Sequence, residues 1–424
     1  MRILILTYGS RGDVQPFEAL GKGLTHAGHD VTLATSARFA DFVTAQGLGF
    51  APMNDDLLAL LDTDQGRDLI ENTNNLFQVV KRSFQMMRQV RPTQHALLRE
   101  GWAAAEAMQP DIIVFHPKSY GGLFYAEKLG IPAVLALPIP MMVPTATRPN
   151  LGFPKLKLGG WYNRMTYRLV TWLTGLSAKG PVNAWRAANG LPALKRFRLL
   201  HDAAGAPVPV LHPISRYVMP EPKDWPPSAH MTGYWFLDEA EDWSPPPALE
   251  AFLKAGPAPV YIGFGSMAGR DPGRLGRIVV EALRRTNLRA VIATGWGGLK
   301  ADSLPETVLQ IEQAPHDWLF PQLAAIVHHG GAGTTAAALR AGKPSVIIPF
   351  FGDQPFWGCQ MQALGVSAAP IPQKTLTADN LAAALHQVTG DEEMARKTKA
   401  LAKKIRREDG VAKAVSLIEA AASA

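Results

Sequence analysis

The chain has 424 residues, of which 47% are hydrophobic and 19% charged; this excludes a disordered or fibrous polymer and leaves room for two domains, each with its own core. A single cysteine, Cys359, excludes an intramolecular disulfide and fits a reducing compartment. The net charge of +7 brings nucleic acid to mind, but Lys and Arg are scattered and no aromatic residues interleave with a basic stripe, so nucleic acid is not expected as a partner. Binding of an anionic small molecule and loose attraction to acidic membrane lipid account for the excess charge.

In chain order, Arg2 to Thr7 reads as an apolar strand, followed by Gly9-Ser10-Arg11-Gly12-Asp13-Val14-Gln15-Pro16 and a helix from about Phe17 to Gly28. Asp13 stands beyond the carboxyl end of a strand, as the cap of the first helix or as a general base. The turn lacks GxGxxG, and the second strand, Asp30 to Ala34, ends in Thr35-Ser36 where a ribose-binding acid is expected; both points disfavour a dinucleotide-dependent oxidoreductase. Asp62-Thr63-Asp64 spells the metal-binding pattern DxD but follows no buried strand and reads as a loop. Single histidines elsewhere lack zinc-ligand spacing, and no metal site is expected.

Phe77, Val80, Phe84 and Met87 recur at helical spacing, either as core or as the lining of an apolar pocket. The strand Ile112 to Phe115 delivers His116, a hydrogen-bonded structural residue or a second polar group for chemistry, and Pro138 to Pro144 forms an apolar loop. In Lys155 to Gly175, basic residues mix with Trp161, Tyr162, Met165, Tyr167, Leu169 and Trp172. A helix packed on its own domain is the expectation there, with an amphipathic surface touching membrane lipid as the other reading. Strand and helix signals alternate from residue 2 to about 215 and again from Pro259 to about 390. The division is therefore a first domain over 1–219, a Pro- and acid-rich connection over 220–258, a second domain over 259–390 and a basic helical region over 391–424. A strand at residue 2, with no charged leader, cleavage site or long apolar segment, suggests the cytoplasm, with peripheral contact at the inner face of a membrane as an extension.

In the second half, Val260 to Phe264 enters Gly265-Ser266-Met267, and Ala290 to Thr294 leads to Gly295-Trp296-Gly297-Gly298. Leu323 to His328 reads as a buried strand turning through His329-Gly330-Gly331-Ala332-Gly333-Thr334-Thr335 into an alanine-rich helix that ends near Gly342. This is the context an anionic phosphate needs. Glycines let backbone approach, the helix N-terminus supplies N–H groups and a positive dipole end, and Thr hydroxyls add donors. The other reading is tight strand-to-helix packing with two structural histidines. Val346 to Phe350 is a further buried strand, and Asp353-Gln354 beyond its carboxyl end are placed to hold hydroxyl groups.

HHGGAGTT followed by PFFGDQPFWG resembles the nucleotide-sugar signature of inverting GT-B glycosyltransferases, and GSRGDVQPF and HPKSYGGLFYAEKLGIPAV resemble the sterol glucosyltransferase and bacterial antibiotic glycosyltransferase branch. The resemblance implies an α/β GT-B fold: two doubly wound Rossmann-like domains facing one another across a cleft, the first for the acceptor and the second for the donor, with the final helical region crossing back to the first. By the same resemblance, His329, Gly331, Gly333, Thr334 and Ser266 bind the diphosphate, and Asp353 and Gln354 bind the transferred sugar. Trp296 packs near the donor, Gln313 and His316 belong to the nucleobase loop, and Asp13 is the base, with His116 a secondary candidate. Gln313 stands where the plant branch has a base-stacking Trp and Ala337 where it has a ribose-binding Glu, so UDP and TDP both stay open as the donor nucleotide. The implied reaction moves a hexose, glucose in the first instance, from UDP-glucose to a hydroxyl of a lipophilic acceptor such as a sterol, triterpenoid or carotenoid. It needs neither a resident cofactor nor a metal ion, because helix dipoles and side chains neutralise the leaving diphosphate. The competing readings are a sugar-nucleotide 2-epimerase, against which the Asp13 turn and DQPFWG argue, and a non-catalytic nucleotide-sugar or lipid-binding protein.

Overall fold

The computed structural model describes residues 1–62, 76–239, 243–265, 272–295 and 304–423, without the side chains of residues 60–91 and 272. Two compact units emerge, one formed by Met1–Leu237 with Asp409–Ala424 and the other by Asp238–Glu408.

The first unit is built on a seven-stranded sheet in the order β3-β2-β1-β4-β5-β6-β7. Its strands are β1 (Arg2–Leu6), β2 (Asp30–Ser36), β3 (Gly49–Met53), β4 (Ile112–Phe115), β5 (Ala133–Ala136), β6 (Val210–His212) and β7 (Ala229–Met231). Every pairing is parallel. The second unit carries a five-stranded parallel sheet in the order β10-β9-β8-β11-β12. Here the strands are β8 (Val260–Gly263), β9 (Ala290–Ala293), β10 (Val308–Ile311), β11 (Ile326–His328) and β12 (Ser345–Ile347). Parallel strands are covered on both faces, which is why β1, β4, β8 and β11 are continuous apolar runs without alternation. The helices of nine residues or more among the described residues are α1 (Arg11–His26), α2 (Leu76–Met108), α3 (Gly121–Leu129), α4 (Gly159–Ala188), α5 (Pro272–Thr286), α6 (Ala332–Ala341), α7 (Gln354–Ala363), α8 (Ala378–Gly390), α9 (Glu392–Ile405) and α10 (Gly410–Ala422).

Each sheet reverses its strand order once, between β1 and β4 in the first unit and between β8 and β11 in the second. Such a switch point parts the turns that leave the two neighbouring strands, and ligands of open α/β sheets bind there. The same order in both sheets makes each unit doubly wound, as the sequence implied.

Several boundaries differ from the sequence reading for identifiable reasons. Helix α1 begins at Arg11 and not near Phe17, because Ser10 takes the N-cap and Asp13 closes a capping box, so Pro16 lies inside the helix. The strand expected over Leu323 to His328 is confined to β11, since Phe320–Gln322 forms a 3-10 turn before it. Strand β7 lies within the segment 220–258, and the two units divide at Leu237 and Asp238. Within residues 391–424, α9 packs on α6 in the second unit, while α10 packs on α1 in the first. Helix α4 packs on α2 as expected, burying Tyr167, Val182 and Trp185, while Trp161 and Trp172 on its other side stand in solvent.

Candidate functional site

At the first switch point, β1 ends in a turn where Asp13, four residues on, makes Gly9 obligatory. A side chain at Gly9 would collide with the Asp13 carboxylate, which folds back over the turn. Asp13 Oδ2 accepts hydrogen bonds from Ser10 N at 2.8 Å and from Ser10 Oγ at 3.1 Å. Asp13 therefore has a structural role, not as the N-cap that the sequence suggested, which is Ser10, but at the N3 position of the helix.

The same carboxylate has partners across the switch point. Lys118, two residues after His116 beyond β4, places Nζ at 2.8 Å from both Asp13 oxygens. His116 Nε2 lies 3.7 Å from Asp13 Oδ1. His116 Nδ1 accepts from the Lys118 backbone N–H at 3.2 Å, so the neutral ring carries its proton on Nε2, facing Asp13. Burial pushes the His116 imidazole down to about 3, against the opposing pull of Asp13 and with help from Lys118. Burial raises the Asp13 carboxyl, but the neighbouring Lys118 and His116 side chains and hydrogen bonds from Lys118 and Ser10 outweigh it and hold the group below its ordinary value. At neutral pH Asp13 is a carboxylate and His116 a neutral imidazole. Lys118 escaped the sequence reading; its signal was its place two residues after a polar residue at a strand's carboxyl end, in the strand that pairs with β1.

At the second switch point, β11 ends in two histidines with different surroundings. His328 is fully buried, and its Nδ1 accepts from Gly330 N at 3.1 Å, which assigns it to holding the turn. His329 is pushed down to about 4 by burial, and its Nδ1 is buried with no hydrogen-bond partner. A neutral imidazole still offers one N–H donor and one acceptor. A methyl group at Gly330, whose φ is +91°, would lie 2.8 Å from Ile347 Cγ2, and one at Gly331 would lie 2.5 Å from His329 Nε2. Glycine at 330 and 331 is thus required by the close approach of the turn to its neighbours, whereas a methyl at Gly333 meets nothing within 4 Å. Gly331 is the N-cap of α6 and caps it with no side-chain hydrogen bond, Thr334 is half-buried on its first turn, and Thr335 Oγ is buried without a partner.

Beyond β12, Asp353 Oδ2 accepts from Trp357 Nε1 at 2.7 Å, which orients the carboxylate. Gln354 is buried and spends its side-chain oxygen on the backbone N–H groups of Phe350 at 2.7 Å and Phe351 at 3.2 Å. Its NH2 end is what remains to meet a ligand. His316 stacks on Phe320, with ring centroids 4.2 Å apart, at the N-terminus of a short helix, and Gln313 is exposed. Ser266 and Trp296 lie outside the described residues, as do Thr63 and Asp64 of the DxD pattern; the side chains of Asp62, Phe77, Val80, Phe84 and Met87 are likewise not described.

The chain is similar to known proteins along most of its length. Residues 3–147 match the family model described as glycosyltransferase family 28 N-terminal domain, and residues 287–415 match the one described as erythromycin biosynthesis protein CIII-like, C-terminal domain. A sterol 3-beta-glucosyltransferase of Aspergillus clavatus is 38% identical over 99% of this chain, and one of Arabidopsis thaliana is 37% identical over 98%. The chain spans 29% of the fungal relative's length and 64% of the plant relative's. Among solved structures, the glycosyltransferase of kitacinnamycin is similar with a TM-score of 0.72 at 22% identity, covering 99% of this chain and 98% of that one. The glycosyltransferase VinC, solved in complex with DTDP, is similar with a TM-score of 0.67 at 21% identity over all of both chains. Family models matched in chain order on the two halves, relatives aligned almost end to end and a doubly wound sheet in each unit agree with one another, and the chain belongs to the GT-B glycosyltransferase family, the UDP-glycosyltransferase superfamily.

Proposed function

We propose that the protein is an inverting glycosyltransferase that moves a hexose from a nucleoside-diphosphate sugar to a hydroxyl of a lipophilic acceptor, with the first unit serving the acceptor and the second the donor. The observation that carries this reading is the chemistry at the two switch points: an ionised carboxylate with a neutral histidine at one, and a glycine turn opening an uncapped helix beside a partnerless imidazole nitrogen at the other. The first suits proton removal, the second a diphosphate.

In the mechanism so inferred, Asp13 takes the acceptor hydroxyl's proton as the oxygen attacks the anomeric carbon. The bond to the diphosphate breaks on the opposite face in the same displacement, and the configuration inverts. Lys118 must release one Asp13 oxygen to the incoming hydroxyl, while the Nε2–H of His116 steadies the other. His329, the Gly331 to Thr334 turn and Ser266 receive the negative charge of the leaving diphosphate, where oriented N–H groups act without reorganising. Asp353, fixed by Trp357, and the Gln354 NH2 hold sugar hydroxyls. Trp296, Gln313 and His316 are assigned to the nucleotide's neighbourhood.

UDP-glucose is the proposed donor, after the sterol glucosyltransferases, with a TDP-sugar as the variant suggested by the DTDP bound to VinC. The test is release of nucleoside diphosphate from UDP-glucose and TDP-glucose against a panel of sterols, triterpenoids, carotenoids and flavonoids, with mass spectrometry of the products. Glycoside formed with one acceptor class is the expected result. Conversion of the sugar nucleotide without acceptor would point to an epimerase, and donor binding without turnover on any acceptor to a binding protein; either would overturn the proposal.

A further inference from the structure

Helix α4 presents two unlike sides. Thr166, Tyr167, Val182 and Trp185 face inward and are buried. Trp161, Met165, Leu169, Trp172, Leu173 and Leu176 face outward, with Trp161 at 72% and Trp172 at 60% exposure, and Leu158 continues the row just before the helix. At 3.6 residues per turn these outward positions fall within an arc of about 120°, and the row runs for roughly 27 Å. Single exposed apolar residues are ordinary on a protein surface; a continuous ridge with two tryptophans is a contact surface.

Charge identifies what it contacts. Between Glu127 and Asp202 the chain contains no Asp or Glu and eleven Lys and Arg residues. Arg164, Arg168 and Lys179 lie along one border of the ridge, and Lys155 and Lys157 precede it; all are exposed. Arg164 is paired with Asp224 at 2.9 Å, whereas Lys179 Nζ donates to a backbone carbonyl, that of Lys195, at 3.1 Å. No helix among the described residues is long and apolar enough to cross a membrane, so α4 is not a span. Indole rings favour the interface between headgroups and acyl chains, and a basic border beside an apolar ridge matches headgroup phosphates lying over hydrocarbon.

We propose that the outward ridge of α4, with its basic border, docks the protein on the surface of an anionic lipid bilayer, the helix lying in the plane of the interface. This assignment is independent of which donor and acceptor the enzyme uses. The ridge enters the headgroup region through Trp161, Trp172 and the leucines, while Arg168, Lys179 and the preceding lysines meet phosphate.

The experiment is flotation of the full chain with vesicles of phosphatidylcholine, with and without phosphatidylglycerol, at low and high salt. Binding to the anionic vesicles, weakened about tenfold or more on neutral vesicles and reduced by salt, is expected. Trp161→Ser with Trp172→Ser lowers that binding by about tenfold or more, and Arg168→Glu with Lys179→Glu lowers it on anionic vesicles alone. Melting curves that match the parent protein show that the variants fold, since every substituted side chain is exposed. In the parent, tryptophan emission shifts to the blue on binding. Absence of binding to either vesicle overturns the proposal, as does binding that the tryptophan variant retains in full. Self-association that the tryptophan variant abolishes, with no vesicle binding, would assign the ridge to a second copy of the chain and overturn it equally.

Discussion

The two switch points share a topology and differ in how they hold charge. Beside β1 and β4, the polar groups are side chains that pair with one another: Asp13 is gripped by Lys118 and Ser10 and faced by His116. Beside β11, the charge-binding capacity rests mainly in backbone, in the turn from His329 to Thr334, and the histidines there are neutral. A paired carboxylate can be released by breaking one contact, which suits a group that must gain a proton during reaction. A backbone cradle cannot rearrange so cheaply, which suits a group that must meet the same anion in every cycle.

The largest effect should come from removing the proton acceptor. Asp13→Asn keeps an oxygen for Ser10 and is expected to lower kcat by about a thousandfold, with donor affinity by calorimetry within about twofold, since such a loss belongs to chemistry and not to binding. Near-normal turnover would remove Asp13 from the reaction and leave it the helix residue it also is.

The glycine turn offers a graded test of the second switch point. Gly331→Ala forces the His329 ring to move and should weaken donor binding by about tenfold or more, with a stability cost of about 1–3 kcal/mol from overpacking. Gly333→Ala meets no protein atom, so stability should stay within about 0.5 kcal/mol, and any loss of donor affinity reports a ligand at that position. Equal donor affinity in both variants would break the contrast between cradle and cluster.

Lys118→Met sharpens the comparison from the other side. Without the Lys118 side-chain charge, burial is no longer outweighed to the same degree and the Asp13 carboxyl rises, so the acid limb of the kcat/KM profile should move to higher pH. Lys118→Arg should keep the limb in place. A profile identical to the parent's in the Met variant would make the Lys118 contact incidental.

A separate effect, read as stability and not as rate, is expected in acid. His116, His212 and His329 are held neutral by burial, at about 3, 3 and 4 against an ordinary value of 6.5. The unfolded chain binds these protons first, so stability is full above about pH 6.5 and falls as the pH drops toward 4, with up to about 1.4 kcal/mol per pH unit from each ring. Asp13 is depressed below 3.8 and adds its own loss only below that value. Denaturant midpoints between pH 7 and 4.5 would measure the slope, and His212→Asn should reduce it.

Much of this molecule was legible because its signals are local. Apolar runs announce strands buried on both faces, and glycines between an apolar run and an alanine-rich segment announce a strand-to-helix turn, so β1, β4, β8, β11 and the turn after β11 were readable in outline. The ion pair of Asp13 with Lys118 joins positions 105 residues apart and exists only because β1 and β4 are neighbours. Pro16 was read as the last residue of a turn before a helix from about Phe17, yet the capping box at Ser10 and Asp13 started the helix earlier. Strand β7 is three residues inside a proline-rich segment, too short to show a period. Gln354 was read as a sugar ligand, but half of its amide works for the Phe350 and Phe351 backbone, a duty that no motif reveals. The apolar period of α4 was visible as well, but period alone does not say which side faces protein and which faces solvent.

The path of the chain between the units has a practical corollary. Helix α10 returns to the first unit, where Trp235 Nε1 donates to the Gly410 carbonyl at 3.1 Å, Lys413 Nζ donates to the Met231 carbonyl at 2.6 Å and Glu419 meets His29 at 3.0 Å. Topologically the second unit is an insertion: 238–408 is one uninterrupted stretch, whereas the first is stitched from two pieces. An excised 238–408 keeps all five strands of its sheet, but a fragment cut at 237 loses the helix that closes over α1. Exchange of donor halves between relatives is therefore best made with two junctions, one on each side of the insert, and a chimera spliced only once would mix two unmatched partners in the packing of α1 with α10.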